Sequence, residues 1–374
     1  MVYLDNSSTT VPCEAAVAEM NKALTENWGN PSSLHTLGIA AEQVVDNTRA
    51  VAAKLLGCDN EEIFFTSGGT EANNLAIFGA AEALKRRGRR VVTTTVEHSS
   101  VKAAFDRLEK QGYQVIRLKP DKNGSVSKEQ LYESITTDTV LVSVMLVNNE
   151  TGAFFSVEEA ARAISDRGAP ALLHCDAVQA FGKVNVNPRR LGADLISISG
   201  HKIHAPKGIG ILYKSKKCRI IPQLFGGSQQ AGIRPGTESV PLIAALGGAM
   251  KQLEIERSLQ YAKELNSFAR RLLADTGLVK INSPEDALPY ILNISVEGYR
   301  SETMLHFLEA KSIFVSSGSA CSKGKASYVL SEMGLSPGRV DSAIRISFCR
   351  ENKPEHIERL CEEIVNAAKT LRKR

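Results

Sequence analysis

Long apolar runs are missing from this chain: the longest, Val240 to Met250, is interrupted by Pro and Gly and is too short to span a bilayer. The polar start, through Asp5, Asn6, Ser7 and Ser8, has neither the basic segment nor the apolar core of a secretory leader. A cytoplasmic protein without membrane attachment is therefore expected. CxxC pairs are also missing. The cysteines (13, 58, 175, 218, 321, 349 and 361) are odd in number and widely scattered, which suits neither a disulfide framework nor a zinc site, so free thiols and no intrinsic metal are expected. Nor is there a strong charge excess: the formal net charge is +5, from 46 basic and 41 acidic residues, and this leaves no general nucleic-acid footprint. The basic cluster at residues 84–90 ends a helical segment and is read as a solvated face, so direct nucleic-acid binding is not expected.

What remains is the composition of an ordinary globular protein, in a chain of 374 residues with room for a large core and more than one domain-sized unit. Apolar residues recur at helical spacing over Pro12–Leu24 and Ala40–Leu56, the second ending at Gly57. β-rich runs follow at Ile63–Thr66, Val91–Val96, Val115–Leu118, Val140–Val147, Ala171–Cys175, Leu195–Ser199 and Ile209–Tyr213. Several are almost continuously apolar and alternate with helical segments, the pattern of βαβ units around a sheet covered on both faces. After Thr237 the texture changes to a long helical stretch over Pro241–Asp275, then shorter strands at Ile291–Val296 and Ala343–Phe348, and a closing helix from Pro354. An α/β fold is expected, with a mainly parallel sheet in a large domain and a smaller α+β domain.

Four strand ends carry reactive residue types. Lys202 ends Ser-Gly-His-Lys (199–202) after an apolar strand, where low-dielectric surroundings depress an amine's pKa and suit it to forming a Schiff base; alone, it reads as a solvated loop lysine. Asp176 follows Leu172–Cys175, and a carboxylate there can pair with a protonated ring nitrogen such as that of pyridoxal phosphate (PLP), or serve as a plain helix cap. The strand, glycine turn and helix start at residues 65–72 have the geometry that offers backbone N–H groups to a phosphate. His98 follows a further strand, where imidazole can stack on a flat ring or move protons, or merely cap a helix. All four would meet at the carboxyl edge of one sheet.

Taken with motifs along nearly the whole chain, these residues resemble the cysteine desulfurases of the NifS/IscS type, within the class V aminotransferase-like PLP enzymes. The likeness is carried by residues 3–10, 30–33, 66–74, 97–98, 147–152, 174–179, 199–202, 234–238, 316–322 and 343–347, in order. It implies the aspartate-aminotransferase-like fold (fold type I), with a large PLP-binding domain over 15–257 and a small domain formed by 1–14 and 258–374. It also implies roles. Lys202 would hold the cofactor and shuttle the Cα proton, Asp176 would face the pyridine nitrogen, Gln179 and Asn149 the ring oxygen, and His98 the ring itself. Gly69, Thr70, Ser199 and His201 would bind the phosphate, with Thr237 from the second subunit of a homodimer, and Arg345 would clamp the substrate carboxylate near Asn30 and Asn149. Cys321, in a run of small residues that predicts a mobile loop, would take the sulfur of L-cysteine as a persulfide, favoured as thiolate by Lys323 and Lys325.

The acceptor beyond Cys321 would be an iron–sulfur scaffold protein, a tRNA-thiolation enzyme or both, and the resemblance also allows Cys321 to be lent transiently to a nascent cluster as a shared ligand. Selenocysteine lysis, transamination and a non-catalytic scaffold role are the alternatives. Three departures from the family pattern stand out: a somewhat short segment between Cys321 and Ser327, Gln230 and Ala231 where an acidic and a basic residue are usual, and Cys175 in place of an aliphatic residue. The first two are expected to face acceptor proteins. Cys13, Cys58, Cys218, Cys349 and Cys361 are expected to be small buried hydrophobes, with Cys175 left ambiguous.

Overall fold

A computed structural model describes residues 1–318 and 326–373. After a short strand β1 (Val2–Tyr3), the main sheet is built from β2 (Ile63–Thr66), β3 (Arg90–Thr94), β4 (Gln114–Leu118), β5 (Thr139–Met145), β6 (Leu172–Asp176), β7 (Leu195–Ser199) and β8 (Gly210–Lys214). Their spatial order is β2-β8-β7-β6-β5-β3-β4. β8 runs antiparallel to both neighbours and the remaining pairs are parallel. β2 therefore points the same way as β7, and six strands deliver their carboxyl ends to one edge.

The apolar runs become central strands because helices close both faces. Every residue of β5 and β7 is buried. The polar residues within this interior find partners across adjacent strands: Ser143 Oγ lies 2.8 Å from His174 Nδ1, and His174 Nε2 lies 3.0 Å from Ser197 Oγ. Burial pushes His174 down to about 4, so this imidazole stays neutral.

The second region has its own core. β9 (Lys280–Ile281) and β10 (Ile291–Ser295) form an antiparallel sheet with a later strand, while β11 (Ile313–Phe314) pairs in parallel with β1. The sheet is completed by β12 (Ala343–Ser347), in the order β12-β10-β9. Val2 and Leu4 pack here with Leu265, Ile294, Ile346 and Leu360, so the start of the chain shares a core with its last third.

The expected helix over Pro241–Asp275 is two helices, Val240–Lys251 and Ile255–Asp275. Apolar periodicity continues through the break and hides it, but Gln252 caps the first helix through its backbone N–H and Ser258 restarts the hydrogen bonding from Glu254. The closing helix, Pro354–Thr370, buries Ile357, Leu360, Cys361, Ile364 and Ala367. No helix among the described residues is long and apolar enough to cross a membrane.

Candidate active site

At the carboxyl edge of the main sheet lies a cavity of about 250 Å³, lined by Ser7, Ser8, Gly69, Thr70, Asn73, His98, Met145, Val147, Asn149, Asp176, Val178, Gln179, Ser199, His201, Lys202 and Arg345. Asp176 and Ser199 are the last residues of β6 and β7, and Lys202 ends the single helical turn that follows β7. Parallel strand direction is what turns residues far apart in sequence into one wall.

Gly69 opens the helix Gly69–Leu84, which has no side-chain cap, so its first N–H groups are available at the cavity. The turn before it packs tightly on the sheet: a Cβ at Gly210 would lie 2.6 Å from the Gly68 Cα, so both strand and turn depend on glycine there.

Asp176 is held from two sides. Asn73 Nδ2 donates to Oδ2 at 2.8 Å, and the Val178 N–H donates to Oδ1 at 3.0 Å. Each carboxylate oxygen thus has its own N–H donor, which fixes the orientation of the group. His98 is both cap and cavity residue: its Nδ1 accepts from the Ser100 N–H at 3.2 Å while the ring lines the cavity. Burial holds its pKa below the usual histidine value, with Lys202 adding to the effect and Asp176 opposing it. His201, whose Nδ1 lies 3.2 Å from Thr9 Oγ1, is pushed by burial and the Lys202 charge down to about 4. Lys202 Nζ donates to the Ser7 and Ser8 carbonyls at 2.6 and 2.7 Å.

Arg345 is almost completely buried and donates to the Asn149 carbonyl at 2.9 Å, to Asp5 Oδ1 at 2.9 Å and to Ser8 Oγ at 2.6 Å. Its Nε and the Oδ1 of Asn149 have no hydrogen-bond partner among the described residues. Buried donors and acceptors left open in this way mark a place for a polar ligand.

Of the residues singled out from sequence, Gly69, Thr70, His98, Asn149, Asp176, Gln179, Ser199, His201, Lys202 and Arg345 line this one cavity. Asn30 does not: it is exposed, and its Oδ1 accepts from the Ser32 N–H at 2.9 Å. Thr237 is likewise exposed and outside the lining of its own chain's cavity. Cys321, Lys323 and Lys325 lie outside the described residues. Ser7, Ser8 and Asn73 were not singled out individually, although each stands within a quoted motif. The signal for Asn73 is its helical spacing from Gly69, which puts it one turn along from the helix start.

Gln230 faces inward rather than toward a partner protein. It is buried, accepts from the Phe65 N–H at 2.8 Å and donates to Glu238. Ala231 is exposed as expected. Cys175 is fully buried between strands, and its thiol is raised well above the usual value by burial, so it belongs to the core. Cys218 and Cys361 are buried as expected, whereas Cys13, Cys58 and Cys349 are only partly so. In the basic run, Arg90 Nε donates to the Ser134 carbonyl at 2.8 Å, and the Arg89 guanidinium lies 5.7 Å from the centre of the Tyr113 ring.

Residues 2–360 match the family described as Aminotransferase class-V. A cysteine desulfurase of Nostoc sp. is 40% identical over 382 residues, covering 100% of this chain and 94% of the relative. Among solved structures, a NifS-like protein superposes with a TM-score of 0.94 at 34% identity, covering 99% of this chain and 100% of the other. The structure of SspA in complex with cysteine superposes with a TM-score of 0.84 at 29% identity, covering 93% and 99%.

Proposed function

The chain belongs to the class V aminotransferases and, among them, to the cysteine desulfurases, and on that premise we propose that its cavity holds pyridoxal 5'-phosphate and converts L-cysteine to L-alanine, with the sulfur passing to Cys321. The observation that carries this reading is the convergence of Lys202, Asp176, His98 and Arg345 on one cavity.

The residues present fit the cofactor. An uncapped helix start with Ser199 and His201 beside it suits a phosphate, a doubly held carboxylate suits a protonated ring nitrogen, and the open Asn149 and Arg345 atoms suit polar groups of ring or substrate. When bound, the pyridoxal ring supplies the electron sink that weakens the bonds at the substrate Cα.

The side chains divide the remaining work. Lys202 would hold the cofactor covalently and, displaced by the substrate amine, carry the proton to and from Cα. Asp176, oriented by Asn73 and the Val178 N–H, would face the ring nitrogen and keep its proton there. Neutral His98 can take or give a proton beside the ring. Arg345 orients the substrate carboxylate. The Cys321 thiolate attacks the substrate Sγ: a sulfur–sulfur bond forms, the Cβ–Sγ bond breaks with its electron pair left on carbon, and protonation of the carbon skeleton yields alanine.

The proposal includes a large domain over 15–257 and a small one over 1–14 and 258–374, and a homodimer in which Thr237 completes the partner's phosphate site. The sulfur then leaves for a persulfide-accepting protein serving iron–sulfur assembly or tRNA thiolation. The test is peptide mass spectrometry of the cofactor-loaded protein after brief exposure to L-cysteine without reductant. Added sulfur on the Cys321 peptide, matched by alanine, is the expected result. Alanine formation that survives Cys321→Ala would overturn it.

A further inference from the structure

Behind Lys202, the turn that follows it meets the chain leaving β12, and three ligand-type side chains converge. His204 Nε2, Cys349 Sγ and a Glu351 carboxylate oxygen all lie within 4.8 Å of one another, with 3.9 Å between His204 Nε2 and Glu351 Oε2. We propose that His204, Cys349 and Glu351 form a binding site for one thiophilic divalent cation, of which zinc is the representative, with water in the fourth position.

One sulfur, one imidazole nitrogen and one carboxylate oxygen are a donor set for tetrahedral zinc. Bond lengths of about 2.0–2.3 Å place tetrahedral ligand atoms roughly 3–4 Å apart, so the cluster needs only side-chain adjustment to close on an ion.

The groups behind the ligands are arranged for this task. His204 Nδ1 lies 2.9 Å from the Val11 carbonyl, which can only accept, so the neutral ring carries its proton on Nδ1 and offers the Nε2 lone pair to the cluster. Glu351 Oε1 accepts from Arg350 Nε at 2.9 Å, which steadies the carboxylate and leaves Oε2 toward His204. The nearby arginine charge opposes a cation, but the guanidinium is also tied to the Gln252 carbonyl at 3.0 Å and spends its Nε on the spare carboxylate oxygen. Cys349 would bind as the thiolate, its proton passing to solvent as the ion enters.

Two further observations point the same way. His204 has φ of 65°, in the left-handed region that non-glycine residues seldom occupy, and its N–H is fixed by Thr10 Oγ1 at 2.7 Å. The cluster opens on a cleft of about 650 Å³ that Cys13, Glu14 and His356 also line, which gives an ion a route in and further donors along it. Lys202 and Cys349 share the lining of a smaller cavity, so a bound ion would brace the turn that carries Lys202.

The test uses the full-length, cofactor-loaded protein with Cys321→Ala, so that the proposed sulfur acceptor cannot contribute a ligand. After chelator treatment and desalting, it is titrated with Co²⁺ and then Zn²⁺. The expected result is roughly one Co²⁺ per chain, with a near-ultraviolet thiolate-to-cobalt absorption that Zn²⁺ displaces and Cys349→Ser abolishes. Absence of that absorption, or its persistence in Cys349→Ser, overturns the site. Should Cys349→Ser misfold, the more exposed Glu351→Gln provides the decision: cobalt affinity is expected to fall at least roughly ten-fold, and unchanged affinity overturns the site.

Discussion

Lys183 donates to Gln179 Oε1 at 3.1 Å, and the same amide donates through Nε2 to the Ser7 carbonyl at 3.0 Å. The Ser7 carbonyl can only accept, so the amide nitrogen must face it and the oxygen must turn to Lys183. One N–H of Gln179 is then left for the cavity that the residue lines. Lys183 is buried, and burial, with the charges of Lys202 and Arg345, pushes it down to about 7. Its hydrogen bond to the cavity lining is the one to Gln179.

Lys183→Met is therefore expected to free the amide to turn over and to leave Oε1 buried without a donor. Cofactor retention should weaken by about ten-fold, equivalent to ~1.4 kcal/mol and within the range for one buried hydrogen bond. The pH titration of the bound cofactor's absorbance should shift as well, because the donor facing its ring oxygen is no longer fixed. Dialysis against cofactor-free buffer with spectra across pH measures both, and wild-type behaviour in both would show that Lys183 merely fills space.

Glu97 makes the stability of the fold depend on pH. Its Oε1 accepts from the Met145 N–H at 2.9 Å and Thr94 Oγ1 at 3.0 Å, while Oε2 has no partner among the described residues. Burial, with a smaller push from Asp176, raises its pKa from 4.5 to about 8. Between those values the folded state holds a proton that the unfolded state has released, so stability is fully present below pH 4.5 and is lost as pH rises toward 8. The slope approaches about 1.4 kcal/mol per pH unit in the middle of that window. Glu97→Gln imitates the neutral acid and should flatten the curve. Urea unfolding at several pH values reads the slope, and equal slopes in the two proteins would contradict the argument.

Arg345 is committed to the fold as well as to the cavity. Its ion pair with Asp5 at 2.9 Å joins β12 to the start of the chain, and its Asn149 contact joins β12 to the segment after β5. Arg345→Lys keeps the charge but loses the planar fork. The Michaelis constant for L-cysteine should rise by at least ten-fold, and stability should fall by about 2–4 kcal/mol, because Asp5 and the Asn149 carbonyl lose their fixed donors. Adding Asp5→Asn should restore part of the stability and none of the substrate affinity. Steady-state kinetics and urea unfolding of the single and double variants separate the two roles.

Most of the sheet was legible because its strands bury both faces and leave continuous apolar runs: β2 and β7 have the bounds read from the sequence. The reactive strand ends were legible for the same reason, since parallel pairing puts Lys202, Asp176 and His98 on one edge. Less could be read where the deciding contact comes from a distant segment. Ser7 and Ser8 meet Lys202 through backbone carbonyls, which carry no side-chain signal. The break after Lys251 falls inside unbroken periodicity. Asn30 is one of a quoted motif, and its Oδ1 accepts from the Ser32 N–H within its own turn.

Gln230 shows how direction changes a reading: a departure expected to meet a partner protein is a buried tie between the main sheet and the segment carrying Thr237. Its Oε1 holds the Phe65 N–H in β2, whose end leads into the Gly68–Gly69 turn, and its Nε2 holds Glu238 beside Thr237. Both bonds need an amide, since one end must accept and the other must donate. Gln230→Glu keeps the acceptor but sets a second carboxylate against Glu238. Repulsion raises the folded-state pKa of the pair, so the variant should be destabilised by about 1–3 kcal/mol at pH 8 and regain most of this as pH falls toward 5, where one carboxyl takes up a proton and donates to the other. Glu238→Gln in the same chain should remove the repulsion and restore stability at pH 8. Thermal unfolding of the three variants at both pH values gives the answer: a loss that is independent of pH, or that Glu238→Gln leaves in place, would mean that Gln230 acts through shape rather than through this hydrogen bond.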